Sequence, residues 1–126
     1  MLLVGLAGLT GVLGGYSGTA QARSLFTQDA TGTVAVAQLP PQGRSMLTLI
    51  HQGGPFRYDK DGTVFGNRER LLPASARAYY REYTVKTPGE RSRGARRIVC
   101  GGLAVATPEA CFYTDDHYAS FRKIVP

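Results

Sequence analysis

Hydrophobic residues recur at helical spacing in one segment of the chain and at short alternating spacing in several later ones. In the first segment, Met46, Leu47 and Ile50 fall on one helical face. The pair Pro40-Pro41 can open this helix, and Gly53-Gly54-Pro55 would end it. The pattern predicts one amphipathic helix followed by a loop.

Short β-rich segments, each bounded by turn-forming residues, occupy most of the remaining chain. One helix before a run of such segments indicates an α+β fold, with the helix packed on one face of an antiparallel meander. The strands predicted for the meander are Val64–Asn67, Tyr79–Lys86, Arg96–Cys100, Cys111–Thr114 and Ala119–Val125. A further short β-rich segment, Gly32–Ala37, precedes the helix.

The predicted strand Tyr79–Lys86 alternates in a way that separates two sets of side chains. The sets are Tyr80, Glu82 and Thr84 on one face, and Arg81, Tyr83 and Val85 on the other. We expect Leu47 and Ile50 of the helix to meet Val85 and Ile98. The face that carries Glu82 would then be free for function.

The first 22 residues carry no charge, and an apolar stretch from Leu2 to Leu13 precedes Ala20-Gln21-Ala22, a pattern typical of a cleaved export signal. The usual basic start is absent, so we expect residues 1–22 to be an N-terminally incomplete signal peptide. Residues 23–30 would be a flexible arm, and residues 31–126 the functional domain. A membrane anchor is the alternative, disfavoured because the apolar run is shorter than a ~20-residue span and is broken by glycines. We therefore expect a secreted protein with no membrane partner.

The charge of the chain is unbalanced. Fifteen Lys and Arg against nine Asp and Glu give a net charge of +6, with the excess concentrated between Arg68 and Arg97. A chain of 126 residues has room for one hydrophobic core, so we expect one folded domain. The excess of positive charge favours a polyanionic partner. A well-solvated surface is the alternative that charge alone leaves open.

Two cysteines, Cys100 and Cys111, enclose ten residues. In an exported chain an even number of cysteines favours a disulfide. The bridge would close a hairpin over Gly101–Ala110 and stabilise the fold by roughly 2–3 kcal/mol under the loop-entropy model. The alternative is a buried thiol at Cys100 and a free one at Cys111.

Candidate chemistry lies in Glu82, Arg97 and His117, separated by fifteen and twenty residues. A carboxylate, a guanidinium and an imidazole can cut RNA without a metal, since two of them move protons and the third stabilises phosphate charge. Arg93 offers a second guanidinium fork. The alternative for Glu82 and Arg97 is a cross-strand ion pair.

Seven short motifs follow one another from Gly54 to Phe121. They are Gly54-Pro55-Phe56, Phe65–Glu69, Leu72-Pro73, Tyr79–Val85, Thr87–Gly89, Arg93–Ile98 and Asp116–Phe121. Together they resemble the secreted guanyl-specific ribonucleases of actinomycetes, relatives of barnase and the fungal T1 enzymes. The resemblance covers about Thr31 to Val125 and implies the microbial ribonuclease fold, with one helix on a twisted antiparallel sheet.

The resemblance also implies an activity and its catalytic residues. Glu82 would be the general base and His117 the general acid in cleavage of single-stranded RNA after guanosine, through a 2′,3′-cyclic phosphate to a 3′-phosphate. Arg93 and Arg97 would hold the phosphate. No metal or other cofactor would take part.

Guanine recognition would lie in Phe65–Glu69. Glu69 would accept the two donors on the guanine edge, backbone N–H groups near Asn67 would contact the opposite edge, and an aromatic ring would stack on the base. The substrate-binding residues so implied are Phe65, Gly66, Asn67, Arg68, Glu69 and Tyr118. Without the resemblance, Glu69 is simply one member of an exposed charged run.

Three positions depart from the family pattern. Gly66 stands where close relatives carry Gln, which would soften base selectivity, and Arg81 replaces a His. The disulfide that joins the first strand to the C-terminus in the family is absent, since Ala35 occupies its first position. We expect the last departure to affect stability rather than chemistry.

The expected partners follow from the same resemblance. They are single-stranded RNA and a barstar-like acidic inhibitor protein, with the enzyme itself a monomer. Two other functions stay open: an antibacterial ribonuclease toxin controlled by such an inhibitor, and a non-catalytic RNA-binding module.

Overall fold

The computed structural model describes residues 32–126, which form one α-helix and a six-stranded sheet. The strands are β1 (Gly32–Ala35), β2 (Thr63–Val64), β3 (Tyr80–Thr84), β4 (Arg97–Gly101), β5 (Ala110–Thr114) and β6 (Arg122–Val125), in the order β1-β6-β5-β4-β3-β2. The helix α1 spans Pro41–Gln52 and follows a 3₁₀ turn at Val36–Gln38. The predicted α+β class is confirmed. The predicted signal peptide and arm, residues 1–30, lie outside the described residues.

The sheet is antiparallel except at one edge. Strands β2 to β6 form the antiparallel meander predicted from Val64 onward, whereas β1, which precedes the helix, pairs with β6 in parallel, with Gly32 opposite Arg122. Residue alternation has the same period of two in both kinds of pair, so the sequence pattern does not encode the direction of a partner strand.

Helix α1 covers one face of the sheet, as predicted. Pro41 begins the helix, and Gly53 ends it in the left-handed region at a φ of 83°. Ile50 is buried in one core cluster with Val85 and Ile98, and Leu47 packs against that cluster. Burial of this apolar face, rather than helix propensity, accounts for the position of the helix.

The other face of the sheet is free only in part. A second buried cluster lies there, formed by Leu72, Tyr80, Val99, Phe112 and Phe121. The loop that carries Leu72 and the turn that carries Phe121 therefore fold over this face beside Glu82. The expectation of a fully free face is wrong, and the covering loops supply the walls of a site.

Two predicted strands each lose three residues at one end. Strand β2 ends at Val64 and β6 begins at Arg122, so residues 65–67 and 119–121 are not in the sheet. These residues leave the sheet to form cavity walls. The remaining strand ends differ from prediction by at most two residues.

Cys100 and Cys111 form a disulfide, which confirms the predicted bridge. They are opposite residues of β4 and β5, and Gly101 pairs with Ala110 beyond them. The hairpin loop is therefore residues 102–109 rather than the predicted Gly101–Ala110. Within residues 32–126, no helix has the length and apolar character needed to cross a membrane.

Candidate active site

The carboxylate of Glu82, on β3, lies at the centre of a polar cluster. Its Oε1 accepts hydrogen bonds from Arg93 Nη2 at 2.9 Å and from the Tyr118 hydroxyl at 2.8 Å. Arg97 Nε lies 3.9 Å from the same oxygen. One carboxylate thus faces two guanidinium groups, and the cluster carries a net positive charge suited to an anion.

The backbone of the loop that precedes β4 fixes the guanidinium group of Arg97. Its side chain is only 3% exposed, and Nη1 donates to the carbonyls of Arg96 at 2.8 Å and Gly94 at 3.0 Å. Within residues 32–126, Arg97 Nε is buried without a hydrogen-bond acceptor. A buried donor without a partner is unfavourable, so an acceptor brought to this N–H would be bound favourably.

Arg93 is oriented by two residues that the sequence analysis did not select. Its Nε donates to Thr84 Oγ1 at 3.0 Å. The Thr84 backbone N–H in turn donates to Asp61 Oδ1 at 2.7 Å. The available signals were the Asp61-Gly62 turn and the position of Thr84 on the Glu82 face of the strand.

His117 and Tyr118 lie in a strained turn after β5. Both adopt left-handed backbone conformations, with φ of 56° and 74°. Such conformations cost about 1–3 kcal/mol each in non-glycine residues, so surrounding contacts must hold them. The backbone N–H of His117 donates to the Ala95 carbonyl at 3.0 Å, which connects this turn to the loop that precedes β4.

Asp116 joins the two ends of that turn. Its carboxylate accepts hydrogen bonds from Ser120 Oγ at 2.6 Å, Thr114 Oγ1 at 2.8 Å and Ser120 N at 2.9 Å. The hydrogen bonds from Ser120 and Thr114 lower the pKa of Asp116 from 3.8 to about 2. The sequence analysis missed this role, although a Thr-x-Asp-x₃-Ser pattern signals a capped turn.

Tyr118 connects the polar cluster around Glu82 to a neighbouring cavity. Its ring centroid lies 5.0 Å from that of Phe65 and 4.9 Å from that of His117. Burial, followed by the hydrogen bond to Glu82 and the charge of that carboxylate, raises the pKa of Tyr118 to about 12. Its hydroxyl therefore keeps its proton and remains a donor at neutral pH.

The cavity beside Tyr118 has a volume of about 640 Å³. All six predicted substrate-binding residues line it, together with the predicted acid His117, and the sequence analysis missed three further lining residues. The six are Phe65, Gly66, Asn67, Arg68, Glu69 and Tyr118; the three are Leu71, Ala119 and Phe121.

The recognition loop, residues 65–70, is fixed by Asn67. The Asn67 side chain donates to Leu72 O at 3.0 Å and accepts from Leu72 N at 3.1 Å, while its backbone is left-handed at a φ of 52°. The Asn67 carbonyl accepts the Arg70 N–H at 3.0 Å. A loop closed by its own bonds needs little reordering when a ligand enters.

The structure places the four predicted catalytic side chains in one region. Glu82, Arg93 and Arg97 are neighbours, and His117 joins them through the adjacent Tyr118 ring and the Ala95 carbonyl. No group of three or more His, Cys, Asp or Glu side chains within residues 32–126 is arranged to hold a metal ion.

Residues 21–125 match the family model for ribonuclease. The chain belongs to the microbial guanyl-specific ribonuclease family. Guanyl-specific ribonuclease Sa of Kitasatospora aureofaciens is 52% identical over 96 residues, which are 76% of this chain and 96% of that protein. Guanyl-specific ribonuclease Sa3 of the same organism is 53% identical over 95 residues, which are 75% of this chain but only 64% of that protein. Guanyl-specific ribonuclease St of Saccharopolyspora erythraea is 53% identical over 92 residues, 73% of this chain and 86% of that protein.

Solved structures of ribonuclease Sa2 share the fold of this ribonuclease. A complex with mononucleotides has a TM-score of 0.71 at 43% identity, covering 77% of this chain and 96% of that one. A complex with guanosine-2′-cyclophosphate has a TM-score of 0.69 at the same identity, covering 77% and 98%. These likenesses confirm the microbial ribonuclease fold that the seven motifs implied.

Proposed function

We propose that this ribonuclease cleaves single-stranded RNA on the 3′ side of guanosine, by transesterification to a 2′,3′-cyclic phosphate and then hydrolysis to a 3′-phosphate. The observation that carries the proposal is one cavity shared by the Phe65–Glu69 segment and His117, joined to Glu82 through the Tyr118 hydroxyl. The relatives are guanyl-specific ribonucleases, and one solved relative binds 3′-GMP.

In the first step, Glu82 removes the proton from the ribose 2′-OH and the 2′-oxygen attacks phosphorus. The bond from phosphorus to the 5′-oxygen breaks, and protonated His117 donates its proton to that oxygen. The Arg93, Tyr118 and Arg97 contacts all involve Oε1 of Glu82. We therefore assign proton removal to Oε2.

Arg93 and Arg97 stabilise the charge that builds on the non-bridging phosphate oxygens. Both guanidinium groups are fixed before substrate arrives, Arg93 by Thr84 and Arg97 by backbone carbonyls. Donors that need no reorganisation act mainly on the transition state.

In the second step the roles reverse. His117 takes a proton from water, the water oxygen attacks the cyclic phosphate, and the bond to the 2′-oxygen breaks. Glu82 returns its proton to that oxygen, which leaves a 3′-phosphate. DNA lacks the 2′-hydroxyl and should not be cut.

Guanine selectivity would rest on Glu69. Its carboxylate can accept both N1–H and the exocyclic amine, with the base stacked on one aromatic ring, that of Tyr118 or Phe65. Adenine presents an acceptor at N1, which would leave a carboxylate oxygen facing another acceptor.

The test is incubation of the purified protein, in EDTA, with a single-stranded RNA that contains each base once. Mass spectrometry should find one cut after G, ending first in a 2′,3′-cyclic phosphate and later in a 3′-phosphate. Binding without a cut would instead support a non-catalytic module, and cuts after every base would contradict the assignment of Glu69.

We also propose that the protein acts outside the cell as a monomer, and that an acidic inhibitor protein is its protein partner. The Cys100–Cys111 disulfide fits an oxidising compartment, and the net charge of +6 fits an acidic partner. Sequencing the protein recovered from culture medium should give Arg23 first. Sedimentation should give a monomer mass, and an acidic inhibitor should bind with a strong salt dependence.

A further inference from the structure

A second cavity, of about 550 Å³, lies next to the guanine cavity. The two cavities share Phe65, Gly66 and Asn67 as lining residues, so only this short segment separates them. The walls of the second cavity are connected by a hydrogen bond from Phe65 N to Tyr80 O at 2.9 Å. The mechanism above makes no use of it.

The lining of this second cavity is cationic and aromatic. Arg70 and Arg77 both line it together with Tyr79 and Tyr80, and none of its lining residues is acidic. Tyr80 is locked by a hydrogen bond from its hydroxyl to Pro73 O at 2.6 Å. Guanidinium groups beside aromatic rings match a phosphate attached to a base, which is the chemistry of one nucleotide of a single strand.

The position of the cavity indicates which nucleotide it would take. His117 must stand at the departing 5′-oxygen, so the RNA downstream of the cut leaves on the His117 side. The second cavity shares no lining residue with the His117–Phe121 turn and lies across the recognition loop from it. It therefore faces the RNA that precedes the guanosine.

We infer that this second cavity is a subsite for the nucleotide on the 5′ side of the cleaved guanosine, with its base against the aromatic wall and the linking phosphate at Arg70 and Arg77. The inference rests on the proposed function. It assigns the chain a preference for guanosines inside an RNA strand over those at a 5′ end.

The test compares cleavage of GpC with cleavage of ApGpC by the whole protein. We expect the extra nucleotide to raise kcat/KM by about tenfold, through one stacked base and one contacted phosphate. The double variant Arg70→Asn/Arg77→Gln should bring this ratio close to one. Asn is chosen because Arg70 has a φ of 58°, a conformation that Asn adopts readily.

The matched control is Arg57→Gln/Lys123→Gln, which removes the same charge from exposed side chains that line neither cavity. It should keep the full ratio. The subsite would be refuted if kcat/KM for ApGpC and for GpC were nearly equal in the unaltered protein. It would also be refuted if the ratio of these two values fell equally in the double variant and in the control. If the double variant instead loses the gain that GpCpA has over GpC, the 5′ assignment is wrong.

A binding measurement separates failure of the subsite from failure of the proposed function. The deoxynucleotides dGp and dApdGp cannot be cut, because they lack the 2′-hydroxyl. Calorimetry should show about tenfold tighter binding of dApdGp, and the double variant should lose that difference. If GpC is not cut but dApdGp binds more tightly than dGp, the catalytic proposal fails and the subsite stands. Equal affinities for dApdGp and dGp would refute the subsite.

Discussion

The hydroxyl of Tyr118 donates to Glu82 Oε1 at 2.8 Å, across a sequence separation of 36 residues. This bond joins the strained turn that carries His117 to the strand that carries the carboxylate. It also engages the oxygen already bonded to Arg93, so Oε2 remains for the substrate. The two proposed proton-transfer groups are thus fixed relative to each other by a third residue.

Replacing the proposed base should remove proton transfer while keeping the pocket. We expect Glu82→Gln to lower kcat/KM for GpC by about 10²–10⁴-fold, because an amide cannot accept the 2′-OH proton. Affinity for 3′-GMP should change by less than about tenfold, since an amide of the same shape still fills the cluster. Steady-state kinetics and calorimetry measure the two quantities. Equal losses in both would mean that Glu82 binds rather than catalyses.

Replacing the proposed acid should matter only when the leaving group needs a proton. We choose His117→Asn because His117 has a φ of 56°, which Asn tolerates. With GpC, kcat/KM should fall by about 10²–10⁴-fold. With a guanosine 3′-(4-nitrophenyl phosphate), whose leaving group departs unprotonated, most of the loss should disappear. The Glu82→Gln variant should show no such recovery, and a recovery there would contradict the separate roles.

Replacing Glu69 should lower the selectivity for guanine over adenine more than it lowers the rate of cleavage itself. In Glu69→Ala, the ratio of kcat/KM for GpC to that for ApC should fall by about 10²-fold, because the partner of two guanine donors is gone. The control is Glu90→Ala, an exposed glutamate that lines neither cavity. A selectivity ratio equal in the two variants would remove Glu69 from base recognition.

The helix, the α+β class and the candidate site could be predicted from the sequence because each has a linear signature. Met46 and Ile50 follow a helical period, Glu82 and Tyr83 alternate on a strand, and the recognition loop forms one contiguous motif. Residues that act through hydrogen bonds to one another have no such period. The contact of Thr84 with Arg93 became visible only once the folded backbone brought the two side chains together.

The parallel pairing of β1 with β6 was missed for a related reason. It joins the first and last strands of the described chain, and no local feature of Gly32–Ala35 indicates that partner. The unexpected ends of β2 and β6 follow from packing, because Phe65 and Phe121 leave the sheet and their ring centroids lie 5.8 Å apart. Their place in the cavity wall outweighs their strand propensity.

The Asp116 carboxylate should make stability depend on acid pH. Its pKa is lowered in the folded protein to about 2 from an ordinary 3.8, so its stabilising effect is complete above about pH 4–5 and disappears as the pH falls through about 2. We expect the difference in unfolding free energy between the unaltered protein and Asp116→Asn to shrink over that range. Urea titrations at pH 6, 4 and 2.5 measure it. A difference constant with pH would mean that the carboxylate charge contributes nothing.

Two glycines with open space around them should respond oppositely to alanine. A Cβ on Gly66 would meet only side-chain atoms of Arg68, at 3.7 and 4.0 Å, and the backbone of Gly66 is not left-handed. A Cβ on Gly89 would meet no atom within 4 Å, but the backbone of Gly89 is left-handed, with a φ of 80°. Gly66→Ala should raise the free energy of unfolding by about 0.4–1 kcal/mol, because it restricts the unfolded chain more than the folded loop. Gly89→Ala should lower it by about 1–2 kcal/mol, because alanine is strained there.

Gly66→Ala should also affect the enzyme, whereas Gly89→Ala should not, because Gly66 lines both cavities and Gly89 lines neither. A stiffer recognition loop loses less conformational freedom on binding, so Gly66→Ala should lower the KM for GpC and raise its preference over ApC. Chemical unfolding and kinetics on the same preparations test both halves. Greater stability without a change in selectivity would mean that the flexibility of the loop at Gly66 plays no part in base discrimination.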